Sequence, residues 1–136
     1  AKRQQIVLEA QQSVVLVADT RRLHQLLLNL LSNASKFTPE GGTIYLRVRT
    51  DADTQTVTIE VADTGIGIPE EDQERIFEPF VQLDSSLARQ YTGTGLGLAL
   101  VKRIAMLHDG QIAVQSQPDQ GSRFLVTLPW RHASTL

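Results

Sequence analysis

Val57-Thr58-Ile59-Glu60-Val61-Ala62-Asp63-Thr64-Gly65-Ile66-Gly67-Ile68-Pro69 sets the reading of the whole chain. Val57, Ile59 and Val61 alternate with Thr58 and Glu60, the period-two pattern of a strand with one buried face. Asp63 keeps the apolar parity, so its carboxylate turns to the core-facing side just where the strand ends. A carboxylate entering an apolar site needs a partner, because its ionised form is costly there. The Gly-Ile-Gly-Ile-Pro that follows frees the backbone to turn and leaves room beside the acid. An apolar pocket with one acceptor suits the exocyclic amine of adenine. An aspartate capping its own Asp-Thr-Gly turn is the plain alternative.

Upstream, Ile44, Leu46 and Val48 alternate with Tyr45, Arg47 and Arg49, and Asp51 to Thr54 reads as the hairpin turn into the Val57 strand. Before that pair, Asp19 or Thr20 is the N-cap of a helix of about 17 residues. Leu23, Leu26, Leu27, Leu30, Leu31 and Ala34 form its apolar stripe, and Thr38-Pro39-Glu40-Gly41-Gly42 ends it. Arg22, Asn29, Asn33 and Lys36 fall within an arc of roughly 60° on one flank of that stripe. Asparagine is a poor mid-helix residue, since its amide competes for backbone hydrogen bonds. Two of them beside a lysine suggest neutral oxygen ligands for a hard cation such as Mg²⁺, with phosphates supplying the remaining charge. A solvated helix face is the plain alternative. His24 lies away from this arc and reads as a surface or packing residue. Ile6 with Leu8, and Val15 with Val17, suggest two further short strands.

Downstream, Pro69 with Glu70, Glu71 and Asp72 suits the start of a helix. Phe77 to Thr94 has weak periodicity, and so long an irregular stretch is usually functional. Gly93-Thr94-Gly95-Leu96-Gly97-Leu98 then opens a second amphipathic helix, from about Leu96 to His108, with Leu98, Val101, Ile104 and Ala105 on one face and Gly110 as C-cap. Glycines at a helix N-terminus let backbone N–H groups approach phosphate oxygens. A Walker A loop is excluded, because no Gly-Lys-Ser or Gly-Lys-Thr follows. The spacing also departs from Gly-x-Gly-x-x-Gly, which excludes a dinucleotide fingerprint. Ile112 and Val114, then Phe124, Val126 and Leu128, close a hairpin around Pro118-Asp119-Gln120-Gly121. Hairpins require antiparallel pairing, so the fold class is α+β: one mixed sheet with helices on one face.

Composition fits a single domain of 136 residues, 41% hydrophobic and 5% aromatic, with an aliphatic core. Thirteen basic and fifteen acidic residues give a net charge of −2 without a basic cluster, which argues against nucleic-acid binding. No run approaches the ~18 apolar residues of a membrane span. With no cysteine there is no disulfide framework, thiolate metal site or thiol nucleophile. A cytoplasmic setting is compatible with this.

Taken in order, these signals resemble the catalytic ATP-binding domain of sensor histidine kinases, in the GHKL superfamily that includes gyrase, Hsp90 and MutL. The N box is Asn29-Leu-Leu-Ser-Asn33-Ala-Ser-Lys36-Phe37, the G1 box Asp63 to Pro69, the F box Phe77-Glu78-Pro79-Phe80 and the G2 box Gly93 to Leu98. The resemblance spans roughly Asp19 to Pro129, and implies a two-layer α/β sandwich of the Bergerat type with a flexible ATP lid at about 77–94. It implies ATP and Mg²⁺ as ligands, with Asn29 and Asn33 holding the metal and Lys36 on phosphate. Asn33 and Lys36 are the catalytic assignments. Phe37 would lie near the nucleotide, Asp63 would accept from the adenine amine, and Gly65, Gly67 and Ile68 would shape that wall. Gly93, Thr94, Gly95, Leu96, Gly97 and Leu98 would border the triphosphate. Arg89 and Gln82 are further phosphate candidates, although a solvated loop is the readier reading for both.

The resemblance also implies a partner: a dimerisation domain bearing the phosphoacceptor histidine, met through Phe77, Phe80 and the lid, with a response regulator further on. A small hydrophobic plug within this domain is the other reading of the two phenylalanines. His24, His108 and His132 lack the family's phosphoacceptor context, so the expectation is one kinase domain over 1–136, cut from a longer bacterial phosphoprotein, with no membrane contact of its own. Where the family often has two glycines after the second helix, Asp109-Gly110 stands instead. Two other activities share the nucleotide site: an ATP-dependent switch without transfer, and a serine kinase of the anti-sigma type.

Overall fold

The computed structural model describes residues 4–10, 19–78 and 97–130. Strand β1 (Gln5–Ala10) precedes helix α1 (Thr20–Phe37), and strands β2 (Thr43–Asp51) and β3 (Thr56–Asp63) follow as a hairpin. Helix α2 (Gly97–Leu107) leads into the hairpin of β4 (Gln111–Ser116) and β5 (Ser122–Pro129). The sheet runs β1-β2-β3-β5-β4, with β1 parallel to β2 and every other pair antiparallel. This is the mixed sheet expected. The strand suggested by Val15 and Val17 lies outside the described residues.

Local chemistry explains most boundaries. Asp19 caps α1, its Oδ1 accepting from the N–H groups of Arg21 and Arg22 at 3.1 and 3.3 Å. Pro39 pushes Thr38 into an extended conformation and so ends the helix. Leu26, Leu30 and Ala34 are fully buried, and meet Ile44, Val57, Ile59, Val61, Phe124, Val126 and Leu128 from the sheet, with Val101, Ile104 and Ala105 from α2. Each buried aliphatic side chain of that size contributes about 1.5–3 kcal/mol by leaving water.

Two expectations need correcting. No α-helix starts at Pro69; Glu70–Asp72 and Arg75–Phe77 are separate 3₁₀ turns. Only Ile76 is buried among their residues, too little apolar surface to hold a longer helix. Nor is Gly110 the left-handed cap of α2. Asp109 takes that conformation at φ 60°, donating to the Met106 carbonyl, while Gly110 donates to that of Ala105 at 2.8 Å. Glycine is needed one residue later for space, since a Cβ on Gly110 would lie 2.3 Å from the Thr127 carbonyl.

The sheet's outer face carries an ion-pair ladder that composition hides. Glu60, 3% exposed, binds Arg47 through Oε2 and Arg123 through Oε1, and Arg47 reaches Glu9 at 2.9 Å. Burial pushes the Glu60 carboxyl up, but the two guanidinium groups outweigh it and hold the pKa below the usual glutamate range. A depressed carboxyl stabilises the fold above its unfolded pKa, and that stability is lost as pH falls through the folded value. Glu60→Gln is therefore expected to lower stability by about 1–2 kcal/mol at pH 7, a figure moderated by the partial exposure of both arginines. The deficit should shrink in acid, which denaturant unfolding at the two pH values measures.

Candidate functional site

Asn29 and Asn33 lie one turn apart on α1, both half-buried at the edge of its apolar stripe, and Lys36 is exposed in the last turn. His24 is exposed, as expected. At the end of β3, Asp63 is only 7% exposed. Its Oδ1 accepts from the Gly65 N–H at 2.9 Å, and its carboxyl also accepts from the backbone of Ser122. Burial raises the Asp63 pKa, and these two N–H groups only partly oppose it.

The two segments are joined through Phe37, the last residue of α1. Its carbonyl accepts from the Ile66 N–H at 3.2 Å, and a Cβ on Gly65 would stand 2.1 Å from the same oxygen. Close approach, more than backbone freedom, is why Gly65 is glycine. Thr64 ties the same loop to the start of β2, its hydroxyl accepting from the Thr43 N–H at 3.0 Å. The helix bearing both asparagines is thus bonded to the loop that carries the buried acid.

Other assigned residues fall differently. Gly67 is buried at φ 74°, and Ile68 is part of the hydrophobic core at 4% exposure, so its side chain is a wall built from within. Gly97 opens α2 and is exposed; Leu98 packs against the core. Phe77 stands edge-on to Phe124, ring centroids 6.3 Å apart and planes at 86°. That ring is engaged inside the domain. Phe80, Gln82, Arg89, Gly93, Thr94, Gly95 and Leu96, and with them residues 79–94 of the lid, lie outside the described residues.

Among the described residues no three His, Cys, Asp or Glu side chains converge as a metal site. Two neutral carboxamides suit a hard cation when anionic phosphate oxygens complete its shell, and so fit Mg²⁺ brought with a polyphosphate. A cavity of about 1000 Å³ also borders the Asp63 loop, lined by Tyr45, Arg47, Gln73, Ser116 and Arg123 among others. Sequence reasoning missed Ser116 and Gln73. The signal for Ser116 was its place beside the Pro118-Asp119-Gln120-Gly121 turn; Gln73, after Glu70-Glu71-Asp72, carried none.

The profile of the histidine kinase-, DNA gyrase B- and HSP90-like ATPases matches residues 18–132. The chain belongs to that family, as an ATP-binding domain of the histidine kinase type within the GHKL superfamily. It is 54% identical over 112 residues to the circadian input-output histidine kinase CikA of Synechococcus elongatus, covering 82% of this chain and 15% of that protein. It is 47% identical over 116 residues to the sensor histidine kinase RcsC of Escherichia coli, covering 85% of this chain and 12% of RcsC. The chain therefore spans about a seventh of the length of these relatives. Full-length ShkA in complex with AMPPNP superposes with a TM-score of 0.82 at 37% identity, covering 96% of this chain and 26% of that one. The nucleotide-free catalytic domain of histidine kinase ThkA gives 0.79 at 30% identity, over 93% of this chain and 80% of that one. Among the described residues no helix is long and apolar enough to cross a membrane.

Proposed function

We propose that this chain is the catalytic domain of a protein histidine kinase in two-component signalling. It binds ATP with Mg²⁺ and donates the γ-phosphate to a histidine on a separate dimerisation domain, from which a response regulator takes it. The observation that supports this reading best is the bond between the Phe37 carbonyl and the Ile66 N–H, which ties the end of the asparagine-bearing helix to the loop after Asp63. The likeness to ShkA, solved with AMPPNP, supports ATP as the nucleotide.

The residues divide the work by chemistry. Asp63 accepts from the adenine amine, in a pocket walled by Gly65 and Gly67. Lys36 meets phosphate charge beyond the helix end, and Asn29 and Asn33 hold the metal. Bound Mg²⁺ would neutralise charge on the phosphates as the bond to the γ-phosphate breaks. Positioning and charge neutralisation then supply most of the catalysis. No side chain of this chain need become phosphorylated.

The test supplies ATP and a dimerisation domain and follows the phosphate. Acid-labile phosphohistidine is the expected product. Phosphate on serine would make the chain a serine kinase, and binding without transfer would make it a switch; each outcome overturns the proposal. Asn33→Ala is expected to reduce Mg²⁺-dependent transfer at least tenfold while changing metal-free ADP binding by less than about threefold. Equal losses in both assays would show that the substitution merely damages α1.

A further inference from the structure

Behind the loop that follows Asp63, one hydroxyl makes three contacts. Ser116 Oγ, at the end of β4, accepts from the Ile68 N–H at 2.7 Å and donates to the Gly121 carbonyl at 2.9 Å. It also lies 3.0 Å from Ser122 Oγ. A serine hydroxyl has one proton and two lone pairs. With the proton on Gly121, Ser122 must donate in that third contact, and the hydroxyl is saturated. Gln73 closes the arrangement, its Nε2 donating to the Ile68 carbonyl at 3.0 Å and the Ser116 carbonyl at 2.9 Å.

Backbone contacts extend the seam. Asp119 N–H donates to the Ile66 carbonyl at 2.6 Å. A Cβ on Gly67 would lie 1.9 Å from the Gln117 carbonyl, and one on Gly121 would lie 2.0 Å from that of Asp63. At these points the β4–β5 turn and the Asp63 loop meet backbone to backbone. Ser116 bonds both neighbours of the acceptor: Ile68 at the far end of its loop, and the Gly121-Ser122 segment whose N–H holds the Asp63 carboxyl.

We propose that Ser116, braced by Gln73, is a positioning residue for nucleotide recognition, setting the height of the 65–68 loop and with it the Asp63 carboxylate relative to the base. The inference rests on the adenine role proposed for Asp63. It concerns the base and not the phosphates, which separates it from a general structural role.

Calorimetric titration with ATP and with inorganic tripolyphosphate, both with Mg²⁺, tests it. Ser116→Ala leaves the buried Ile68 N–H unpaired, and is expected to weaken ATP binding about tenfold while leaving tripolyphosphate binding unchanged. Ser116→Thr, which keeps the hydroxyl, is expected to restore most of the ATP affinity. Gln73→Met, which keeps the Ile68 N–H paired, should show the same selective loss at smaller size and serves if Ser116→Ala does not fold. ATP affinity within twofold of the parent in both variants overturns the inference, and so does parallel weakening of ATP and tripolyphosphate. Asp63→Asn run alongside distinguishes the failures. If it leaves ATP binding intact, the adenine role falls and the inference with it; if it weakens ATP while the Ser116 and Gln73 variants do not, only the inference falls.

Discussion

Gly67→Ala is expected to lose about 3 kcal/mol or more of stability, a fall in Tm of roughly 10 °C. Gly67 sits at φ 74°, where a residue bearing a Cβ is strained by about 1–2 kcal/mol. The added carbon would also stand 1.9 Å from the Gln117 carbonyl oxygen and 2.7 Å from its carbon, both backbone atoms in a hairpin turn. No rotamer change relieves that contact; the loop and the β4–β5 turn must separate. Gly97→Ala is the matched control, because among the described residues a Cβ there meets nothing within 4 Å and the residue opens a helix. It should leave stability unchanged or raise it by up to about 1 kcal/mol. Thermal unfolding of both variants decides the matter, and a Gly67→Ala midpoint within about 2 °C of the parent would refute the contact.

Asp63→Asn is expected to weaken ATP binding by about 10–100-fold, or 1–3 kcal/mol, measured by calorimetry. It replaces an ionised acceptor by an amide that can turn a donor toward the adenine amine. The raised pKa adds a signature in pH. Because the folded state holds the Asp63 proton more tightly than the unfolded chain, stability of the free domain should fall as pH rises from the ordinary aspartate range through the folded value. ATP, which prefers the ionised acceptor, should bind more weakly as pH drops through that same window. Both slopes should flatten in Asp63→Asn, and an unchanged ATP slope would place the titrating group elsewhere.

Much of this site is legible in one dimension because its residues break local rules. Two asparagines inside an amphipathic helix, an acid on the apolar parity of a strand, and glycines where a strand should continue are each anomalies of spacing. The 3₁₀ turns after Pro69 differ from the expected helix for the opposite reason. Three acids and a proline imitate a helix start, while the shortage of buried apolar surface that stops the helix is a tertiary matter. The left-handed cap of α2 lies one residue before the glycine, at Asp109. Gly110 is glycine for room beside the Thr127 carbonyl, a contact between elements that no local pattern announces.

Period and turn chemistry were enough for the alternating elements, the mixed α+β sheet, the apolar stripe of α1 and the place of Asp63 at the end of a buried strand. These follow from period and propensity, which act between near neighbours. How the Asp63 loop is held depends on packing between distant elements: from one side by the Phe37 carbonyl, from the other by Ser116, Gln73 and the β4–β5 turn. The same packing buries Glu60, on the polar parity of β3, between two arginines from other strands. Ser116 and Gln73 lie 43 residues apart, and Glu60 and Arg123 lie 63 apart. Hydrogen bonds between such residues are created by the sheet order, so they exist only once β5 has inserted between β3 and β4.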